Sequence, residues 1–285
     1  VDTQALEQRL GSHRALRARR EPHKIDVESV AVLLQEDGLL AKAFPGYEYR
    51  PEQVEMAQAV AQALNEGHHL MVEAGTGVGK SVAYLLPAML SALESRRRVV
   101  LSTNTINLQE QLVSKDIPDL VVALGNGDAA GPSMGELGYT RLKGRGNYLC
   151  FRRWANLAQS GSLSTEEAKM LGKTLVWLQG TETGDRTELN IPSRDGLLWD
   201  RISGRGSGEC DAVNRKGVCF LRAARSKAEE SHIVVVNHAL LLADLARGGG
   251  LIPAYDRVII DEAHHWEEEA SRQFGWEIPP QRMEE

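Results

Sequence analysis

A glycine-rich stretch that ends in lysine and serine, residues 73–81, has the composition of a loop that binds phosphate groups. Glycine allows a tight turn in which backbone N–H groups approach phosphate oxygens closely. The ammonium group of Lys80 can reach the β and γ phosphates of a nucleoside triphosphate, and the hydroxyl group of Ser81 suits Mg²⁺. A loop that only resembles this motif is the alternative. The predicted site for ATP and Mg²⁺ consists of Ala74, Gly75, Thr76, Gly77, Val78, Gly79, Lys80 and Ser81.

Two carboxylates that follow an apolar run could complete such a site. Asp261 and Glu262 come directly after residues 257–260. Asp261 could hold Mg²⁺, directly or through water, and Glu262 could orient and deprotonate a water for in-line attack on the γ phosphate. The alternative is the acidic first turn of a helix, because further glutamates follow at residues 267–269. Together with the glycine-rich loop, the pair predicts hydrolysis of ATP by Lys80, Asp261 and Glu262.

Short apolar runs alternate with segments of helical periodicity, and these elements must position the candidate residues. The runs are residues 69–72, 98–103, 233–236 and 257–260. Such alternation is typical of an α/β fold with a parallel sheet covered by helices on both faces. Ligands of these sheets bind at the carboxyl ends of the strands. We therefore expect the glycine-rich loop, Thr103, Asn237 and Asp261 to converge in one crevice.

Length and composition indicate a globular protein of one large or two small domains. The chain has 285 residues, of which 42% are hydrophobic and 25% are charged. Its three cysteines argue against a disulfide framework and favour a reducing cytosol. The first residues show no secretory signal, and polar residues interrupt the longest apolar run, residues 233–246. We expect a cytoplasmic location, associated with the nucleoid in a bacterium, no membrane span, and a piece of a longer protein, since no methionine begins the chain.

The net charge of −6 conceals a basic module. Residues 141–227 contain 16 Lys and Arg against 9 Asp and Glu, whereas the remainder contains 17 against 30. A basic module in an acidic chain suggests a polyanion as its partner, although a solvated charged face would have the same composition. Arginines can follow phosphates while aromatic rings stack on bases. The candidate DNA contacts in this module are Lys143, Arg145, Tyr148, Arg152 and Arg153.

Each of these candidates has a structural alternative. Tyr148, Phe151 and Trp154 could instead form the core of a small domain that is short of apolar residues. Thr103 and Thr105 end an apolar run and could bind a backbone phosphate through N–H and O–H groups, but Thr105 would also suit the N-cap of a helix. The remaining candidate contact with DNA is Asn237, at the end of another run.

Seven stretches, in this order, resemble the motifs of superfamily 2 DNA helicases of the DinG/XPD type. They are residues 49–53, 73–81, 102–105, 143–150, 219–225, 236–238 and 261–264, which together cover about residues 47–266. The resemblance implies a RecA-like P-loop NTPase fold and an ATP-dependent DNA helicase of repair or replication. It also implies 5′-to-3′ translocation on single-stranded or forked DNA. It makes Gln53 an adenine contact, Arg50 a further nucleotide contact, and His264 a catalytic residue that couples hydrolysis to DNA movement.

The same resemblance accounts for the 181 positions between Lys80 and Asp261. It implies an inserted small, mostly helical iron–sulfur domain in which four cysteine thiolates normally hold a [4Fe–4S] cluster. This chain has only Cys150, Cys210 and Cys219. A non-cysteine fourth ligand such as Asp211, a three-iron cluster, zinc, and a domain that folds without metal all stay open. The expected domains are an N-terminal helical or linker segment (1–43), a split motor domain (44–140 and 232–285) and the iron–sulfur-type insert (141–231).

The resemblance further implies that a second motor domain follows in the full-length chain and supplies arginine fingers to the ATP site. This chain would then be the N-terminal motor portion with its insert. We expect it to bind nucleotide and DNA, to hydrolyse little ATP on its own, and not to unwind DNA. Two other functions stay open: a P-loop ATPase motor with a partner other than DNA, and a nucleotide-binding module that is inactive without its second domain.

Overall fold

The computed structural model describes residues 1–11, 15–19, 23–75, 77–125, 133–192, 195–205 and 217–275. The chain divides into two compact units. The sheet unit comprises Ala15–Arg141 and Ala228–Glu285, and the helical unit comprises Val1–Arg14 and Leu142–Lys227. The N-terminal segment expected as residues 1–43 is therefore divided between the two units.

A four-stranded parallel sheet forms the centre of the sheet unit. Its strands are β1 (Val99–Thr103), β2 (Tyr139–Arg141), β3 (Ile233–Asn237) and β4 (Arg257–Ile260), in the order β2-β3-β1-β4. Strand β1 pairs in parallel with β3 and β4, and its residues are all buried, which explains its continuous apolar run. Ser102 lies in register with Val236 and Ile260, so the three strands end at the same edge.

Helices flank this sheet and build most of the helical unit. In chain order they are α1 (Thr3–Leu10), α2 (Val27–Leu33), α3 (Leu39–Ala43), α4 (Pro51–Glu66), α5 (Lys80–Ser95), α6 (Ile106–Gln111), α7 (Ile117–Gly125), α8 (Phe151–Ala158), α9 (Thr165–Trp177), α10 (Gly196–Ile202), α11 (Phe220–Glu230), α12 (His238–Ala246) and α13 (Trp266–Phe274). The predicted α/β fold, with helices around a parallel sheet, is confirmed. None of the helices in the described ranges is long and apolar enough to cross a membrane.

Helix α5 lies at the centre of the sheet unit's core. Leu85, Leu86 and Met89 on this helix are fully buried, and they belong to the same apolar cluster as Leu101 of β1 and Val235 of β3. Burying a side chain of this size contributes about 1.5–3 kcal/mol each. This packing fixes the start of α5, and hence Lys80, relative to the strands.

Local signals in the sequence set the ends of several helices. Pro51 occupies the first turn of α4, where its missing N–H costs nothing. Ser164 and Glu167 form a reciprocal capping box at the start of α9, since each side chain accepts a hydrogen bond from the other's backbone N–H. These helices begin where the sequence predicts.

The apolar run before the glycine-rich loop does not form the strand that the sequence predicts. Residues 69–72 are not part of any strand, and the side chain of Met71 is 96% exposed. A strand requires a neighbour that supplies backbone hydrogen bonds, and none of the four strands in the described sheet pairs with this run. The loop that follows is therefore positioned by α4 and α5 rather than by a strand ladder.

The helical unit has a separate core rich in tryptophan. Leu6, Trp154, Leu178, Trp199 and Phe220 are buried together. The Nε1 atoms of Trp154 and Trp199 donate hydrogen bonds to the Thr174 hydroxyl and the Gly146 carbonyl, at 2.7 Å each. Because buried indole N–H groups need acceptors, these bonds fix both rings. Leu6 brings α1 into this core.

A buried arginine joins distant segments of the sheet unit. Arg98, directly before β1, donates from Nε to the carbonyl oxygens of Ala228 (3.1 Å) and Ser231 (3.3 Å), and from Nη2 to that of Glu229 (2.6 Å). These three carbonyl groups lie at or just after the end of α11, where backbone acceptors lack helical partners. Arg98 thereby ties the chain that enters β3 to the start of β1.

Candidate active site

The glycine-rich loop forms the sharp turn that phosphate binding requires. Gly77 and Gly79 have φ angles of 85° and 81°, a left-handed conformation that favours glycine. Gly79 is the N-cap of α5, so the helix begins at Lys80 and directs its unpaired N–H groups and positive dipole end towards the loop. The loop residues 73–75 and 77–79 are exposed or half-buried, and Thr76 lies outside the described residues.

The lysine of the loop faces the paired carboxylates. Nζ of Lys80 lies 3.9 Å from Oε1 of Glu262 and 3.4 Å from the carbonyl oxygen of Ala74. Residue 262 follows β4 by two positions, so the sheet itself brings these two parts of the sequence together. The side chains of Lys80 and Glu262 are about one-third exposed, at 33% and 32%, which leaves both open to a bound nucleotide.

Glu262 has an unusual backbone conformation. Its φ and ψ angles are 54° and 42°, in the left-handed region, and it precedes the short 3-10 helix Ala263–His265. Such a conformation costs a residue other than glycine about 1–3 kcal/mol and is concentrated at functional sites. Its N–H donates to Oδ1 of Asp261 at 3.0 Å, and the N–H of Asp261 donates to the Ser102 carbonyl at 2.8 Å. These bonds hold the turn against the end of β1.

Tyr84 orients the carboxylate that is the candidate magnesium ligand. Its hydroxyl lies 3.1 Å from Oδ2 of Asp261, and its side chain is buried. Burial, and next the charge of Asp261, raise the pKa of Tyr84 well above its ordinary value, so the phenol is a donor at neutral pH. The hydroxyl of Ser81 also interacts with Tyr84. The two candidate magnesium ligands, Ser81 and Asp261, are thus both in contact with one buried phenol.

This arrangement fits Mg²⁺ bound together with a nucleotide. Mg²⁺ usually takes one or two protein oxygens and completes its shell with phosphate oxygens and water. A serine hydroxyl and an oriented carboxylate are such a donor set. The resemblance to ATP-dependent enzymes and the donor set agree on ATP and Mg²⁺ as cofactors.

Gln53 makes a contact that its sequence position alone does not indicate. Its side chain is buried, and Nε2 donates to the carbonyl oxygen of Gly79 at 2.9 Å. A side chain at Gly79 would collide with this amide. Gln53 therefore contacts the glycine-rich loop itself, in addition to any contact with adenine that the resemblance implies. Arg50, at the N-cap of α4, is paired with Glu48 at 2.7 Å.

His264 lies at the surface beside the Asp261–Glu262 turn. Its side chain is 66% exposed, and Nδ1 lies 3.4 Å from Oε2 of Glu262. Its ring is also close to that of His265, with centroids 4.0 Å apart. An exposed imidazole next to Glu262 is compatible with a coupling role, which stays a prediction.

Sequence reasoning missed a buried histidine in the same region. His238, the first residue of α12, is fully buried, and its Nδ1 lies 2.8 Å from Oγ of Ser102, which is also fully buried. Its ring packs edge-on against Trp266 of α13, with centroids 5.2 Å apart. The available signal was a histidine directly after an apolar run, at the edge where the other candidate residues end.

The candidate DNA contacts at the strand ends differ in exposure. Thr103 is fully buried, and its hydroxyl has no hydrogen-bond partner within the described ranges. Thr105 is exposed and caps α6 by accepting from the Leu108 N–H at 3.2 Å. Asn237 is half-buried and caps α12 by accepting from the Leu240 N–H at 3.1 Å. Both polar side chains thus have capping roles, and the N-cap alternative for Thr105 is the observed one.

In the helical unit, two of the candidate DNA contacts are inside the fold. Lys143 is buried, with Nζ 2.6 Å from Oδ2 of buried Asp185 and 3.1 Å from the Thr187 hydroxyl. Tyr148 is buried, and its hydroxyl accepts from the Lys143 N–H at 3.1 Å. Tyr148 is therefore part of the core of the helical unit, which is the alternative given above for the aromatic residues.

The arginine candidates lie nearer the surface. Arg152 is exposed and Arg145 is half-buried. The guanidinium of half-buried Arg153 donates to the carbonyl oxygens of Arg201 (2.9 Å, from Nε) and Arg205. Arg153 therefore supports the end of α10 and the residues that follow it, which carry two further arginines.

The cysteines present an incomplete ligand set within the described residues. Cys150 and Cys219 are half-buried free thiols, and Cys210 lies outside the described residues. No group of three or more His, Cys, Asp or Glu side chains suited to a metal occurs within the ranges that the structure covers. Two thiols alone do not make up the four ligands of a [4Fe–4S] cluster.

Comparisons with known proteins point to one family. Residues 54–116 match the model of the family described as DEAD/DEAH box helicase. The chain is 36% identical over 259 residues to the ATP-dependent DNA helicase YoaA of Escherichia coli, covering 87% of this chain and 38% of the relative. It is 37% identical over 254 residues to the ATP-dependent helicase DinG of Mycobacterium tuberculosis, covering 83% and 37%. It is 35% identical over 266 residues to the 3′-5′ exonuclease DinG of Bacillus subtilis, covering 90% and 28%.

The glycine-rich loop, the parallel sheet and the carboxylate pair after β4 are the features of a P-loop NTPase, and residues 54–116 match the DEAD/DEAH box helicase family. Over 83–90% of its length the chain is similar to the DinG and YoaA proteins named above, at 35–37% identity. The resemblance predicted from the sequence motifs is thereby confirmed. The chain spans between 28% and 38% of the length of the relatives named above, so it corresponds to a portion of such a protein.

Proposed function

We propose that this chain is the ATP-binding motor portion of an ATP-dependent DNA helicase that moves 5′-to-3′ on single-stranded DNA in repair or replication. The observation that carries this proposal is the distance of 3.9 Å between Nζ of Lys80 and Oε1 of Glu262. The candidate phosphate-binding lysine and the candidate general base therefore lie side by side, as hydrolysis of a γ phosphate requires.

In the proposed reaction each group has one task. Loop N–H groups and Lys80 bind the phosphates, and Ser81 and Asp261 would hold Mg²⁺, which neutralises charge on the phosphate oxygens. Glu262 accepts a proton from the water that attacks the γ phosphate in line. Lys80 leaves the carboxylate of Glu262 when the more highly charged triphosphate enters, which frees this carboxylate to act as the base.

Two surfaces are proposed to contact DNA, one on each unit. On the sheet unit it is the edge with Thr105 and Asn237, where small polar groups and backbone N–H groups can bind phosphate oxygens. On the helical unit it is the basic set of Arg145, Arg152 and Arg153. Lys143 and Tyr148 are left out of this set because Lys143 is paired with Asp185 and Tyr148 lies in the core.

Three further features of the proposal come from the family resemblance. A second motor domain in the full-length protein would close the ATP site, and the helical unit would hold an iron–sulfur cluster through Cys150, Cys210 and Cys219. Action on DNA would imply a cytoplasmic location at the nucleoid. The cluster is tested by iron and sulfide content and by absorbance near 400 nm after anaerobic purification. A colourless, iron-free and folded protein would contradict it.

The partner is tested by binding of a labelled single-stranded oligonucleotide at increasing salt. A DNA motor predicts an affinity that falls steeply with salt concentration, because bound cations are released from phosphates. Arg152→Glu should weaken binding, whereas Lys169→Glu, at an exposed position of α9, should change it little. A chain with Mg²⁺-dependent nucleotide binding but no affinity for DNA at low salt would favour an ATPase motor with another partner.

A further inference from the structure

His238 joins the two halves of the candidate motor site. On one side its Nδ1 lies 2.8 Å from Oγ of Ser102, the residue before Thr103. On the other side its ring packs against Trp266, which begins the helix after the catalytic turn. His238 also directly follows Asn237 in the chain. His238 is thus adjacent both to the proposed DNA edge and to the Asp261–Glu262 turn.

Ser102 makes this connection tighter. Its hydroxyl binds His238, and its carbonyl oxygen accepts the N–H of Asp261 at 2.8 Å. Ser102 and His238 are both fully buried, so neither can exchange these bonds for water. A shift of the end of β1 would therefore move the ring of His238 and the backbone of Asp261 together.

The second nitrogen of the ring is unsatisfied. Nε2 of His238 is buried and has no hydrogen-bond partner in the part of the chain that the structure describes. Burial lowers the pKa of His238, while the nearby backbone groups of Glu262 and Asp261 act in the opposite direction. A neutral ring whose Nε2 faces carbonyl acceptors carries its proton on Nε2, and Nδ1 then accepts from the Ser102 hydroxyl. We assign this tautomer from the surrounding groups.

The turn that Nε2 faces is itself strained. Glu262 has a φ angle of 54°, a conformation that persists only where surrounding contacts impose it. A buried donor beside such a turn can form a hydrogen bond with it when the turn moves. A buried donor left without an acceptor also costs free energy, which favours the arrangement in which the bond is made.

We propose that His238 is a positioning residue that transmits the position of the DNA-bound edge, Thr105 and Asn237, to the Asp261–Glu262 turn. In the DNA-bound state its Nε2–H donates to a carbonyl oxygen of this turn and aligns Glu262 to accept the proton of the water that attacks the γ phosphate. This inference rests on the proposed function, since it assigns a residue to the coupling of DNA binding and ATP hydrolysis.

The test compares ATP hydrolysis by the full-length protein with and without single-stranded DNA. His238→Asn keeps an acceptor for the Ser102 hydroxyl but does not extend to the turn, whereas His238→Gln places an amide N–H near the position of Nε2. We expect His238→Asn to lower the ratio of DNA-stimulated to unstimulated kcat about tenfold, within the usual range of coupling between sites. KM for ATP should stay within about twofold, because the residue does not touch the nucleotide. His238→Gln should retain more of the stimulation.

His232 provides a matched control. It is also a buried histidine beside β3, but it precedes that strand, and its Nδ1 accepts from the Gly138 N–H at 3.1 Å. His232→Asn should leave the stimulation ratio unchanged. Thermal unfolding of each variant distinguishes loss of coupling from loss of fold, and Ser102→Ala offers a smaller change at the same link that should also lower the ratio.

The outcomes separate this inference from the proposed function. A wild-type protein whose hydrolysis does not respond to DNA would overturn the proposed function and this inference with it. A wild-type protein that responds, with His238→Asn responding equally, would overturn only the role of His238. A drop in His238→Asn at unchanged KM, with His232→Asn unaffected, is the expected result.

Discussion

The hydroxyl of Tyr84, on the first helix after the phosphate loop, lies 3.1 Å from Oδ2 of Asp261, on the turn after β4. This bond crosses 177 positions of sequence and joins the two motifs of the nucleotide site through a buried phenol. Because the phenol is protonated, it donates a hydrogen bond to the carboxylate and orients it. Tyr84 is therefore expected to set the geometry in which Asp261 meets Mg²⁺.

Tyr84→Phe should weaken the response to Mg²⁺ and leave the fold intact. Loss of a hydrogen bond that orients a metal ligand typically costs about 10–100-fold in metal affinity or activity. The measurement is a Mg²⁺ titration of fluorescent-nucleotide binding, with hydrolysis as a second readout. Tyr47→Phe is the control, because it removes a phenol that donates to the Leu34 carbonyl at 2.6 Å rather than to a candidate magnesium ligand. Equal Mg²⁺ titrations for Tyr84→Phe and wild type would show that Tyr84 does not orient Asp261 for Mg²⁺.

Glu262→Gln should abolish most hydrolysis while nucleotide binding remains. An amide cannot accept the proton of the attacking water, and loss of a general base lowers kcat by about 10²–10⁴-fold. Steady-state hydrolysis and equilibrium nucleotide binding, measured on the full-length protein, separate the two effects. Glu268→Gln is the matched control, since this glutamate is exposed on α13 and pairs with Arg272. If both variants hydrolysed ATP at the wild-type rate, the acidic helix start would be the correct interpretation of this region.

Lys143→Met should destabilise the helical unit rather than act on DNA alone. The side chains of Lys143 and Asp185 are 1% and 2% exposed, and their atoms lie 2.6 Å apart. Removing one partner of a buried ion pair leaves the other charge without compensation and costs about 3–5 kcal/mol. Denaturant unfolding measures this loss. Lys169→Met breaks an exposed pair with Glu166 and should cost no more than about 1 kcal/mol. Lost DNA binding at full stability would instead make Lys143 a DNA contact.

Acid should destabilise the sheet unit in part through His232. Burial, and next the charge of Arg96, lower the pKa of His232, so the folded state binds a proton less readily than the unfolded chain. The stability from this group is complete above the unfolded pKa of about 6.5 and is lost as the pH falls towards the folded pKa. His232→Asn keeps an acceptor for the Gly138 N–H but cannot titrate. Unfolding free energies at about pH 7.5 and about pH 5.5 should differ less in this variant than in wild type. An equal difference would contradict this assignment.

Local patterns were sufficient to predict much of the fold. Apolar runs predict the strands β1, β3 and β4, and short-range hydrogen bonds account for the N-cap at Thr105 and the capping box at Ser164. Strand β2 was not predicted, because Tyr139–Arg141 is short and carries polar residues, and only its pairing with β3 makes it a strand. For residues 69–72 the pattern indicated a strand, yet none of the strands in the described ranges pairs with them.

The sequence predicted which residues form the candidate site, but not the hydrogen bonds that connect them. Motif spacing identified Lys80, Asp261 and Glu262, and the parallel sheet explains why they meet. The bonds of Tyr84 and His238 join residues far apart in sequence, so no local pattern reveals them. The burial of Lys143 depends on Asp185 in the same way. Charge composition indicated a basic module, but it could not show which of its charges are paired inside.

The proposed function requires that Lys80 bind the phosphates of the ATP that drives unwinding. Its most direct test is unwinding of a forked duplex by the full-length protein with Lys80→Ala, compared with wild type and with Lys115→Ala, which changes an exposed lysine of the sheet unit. Wild type and Lys115→Ala should unwind the duplex in the presence of ATP and Mg²⁺, whereas Lys80→Ala should bind DNA but unwind none of it. Unwinding by Lys80→Ala at the wild-type rate would contradict the assigned phosphate site.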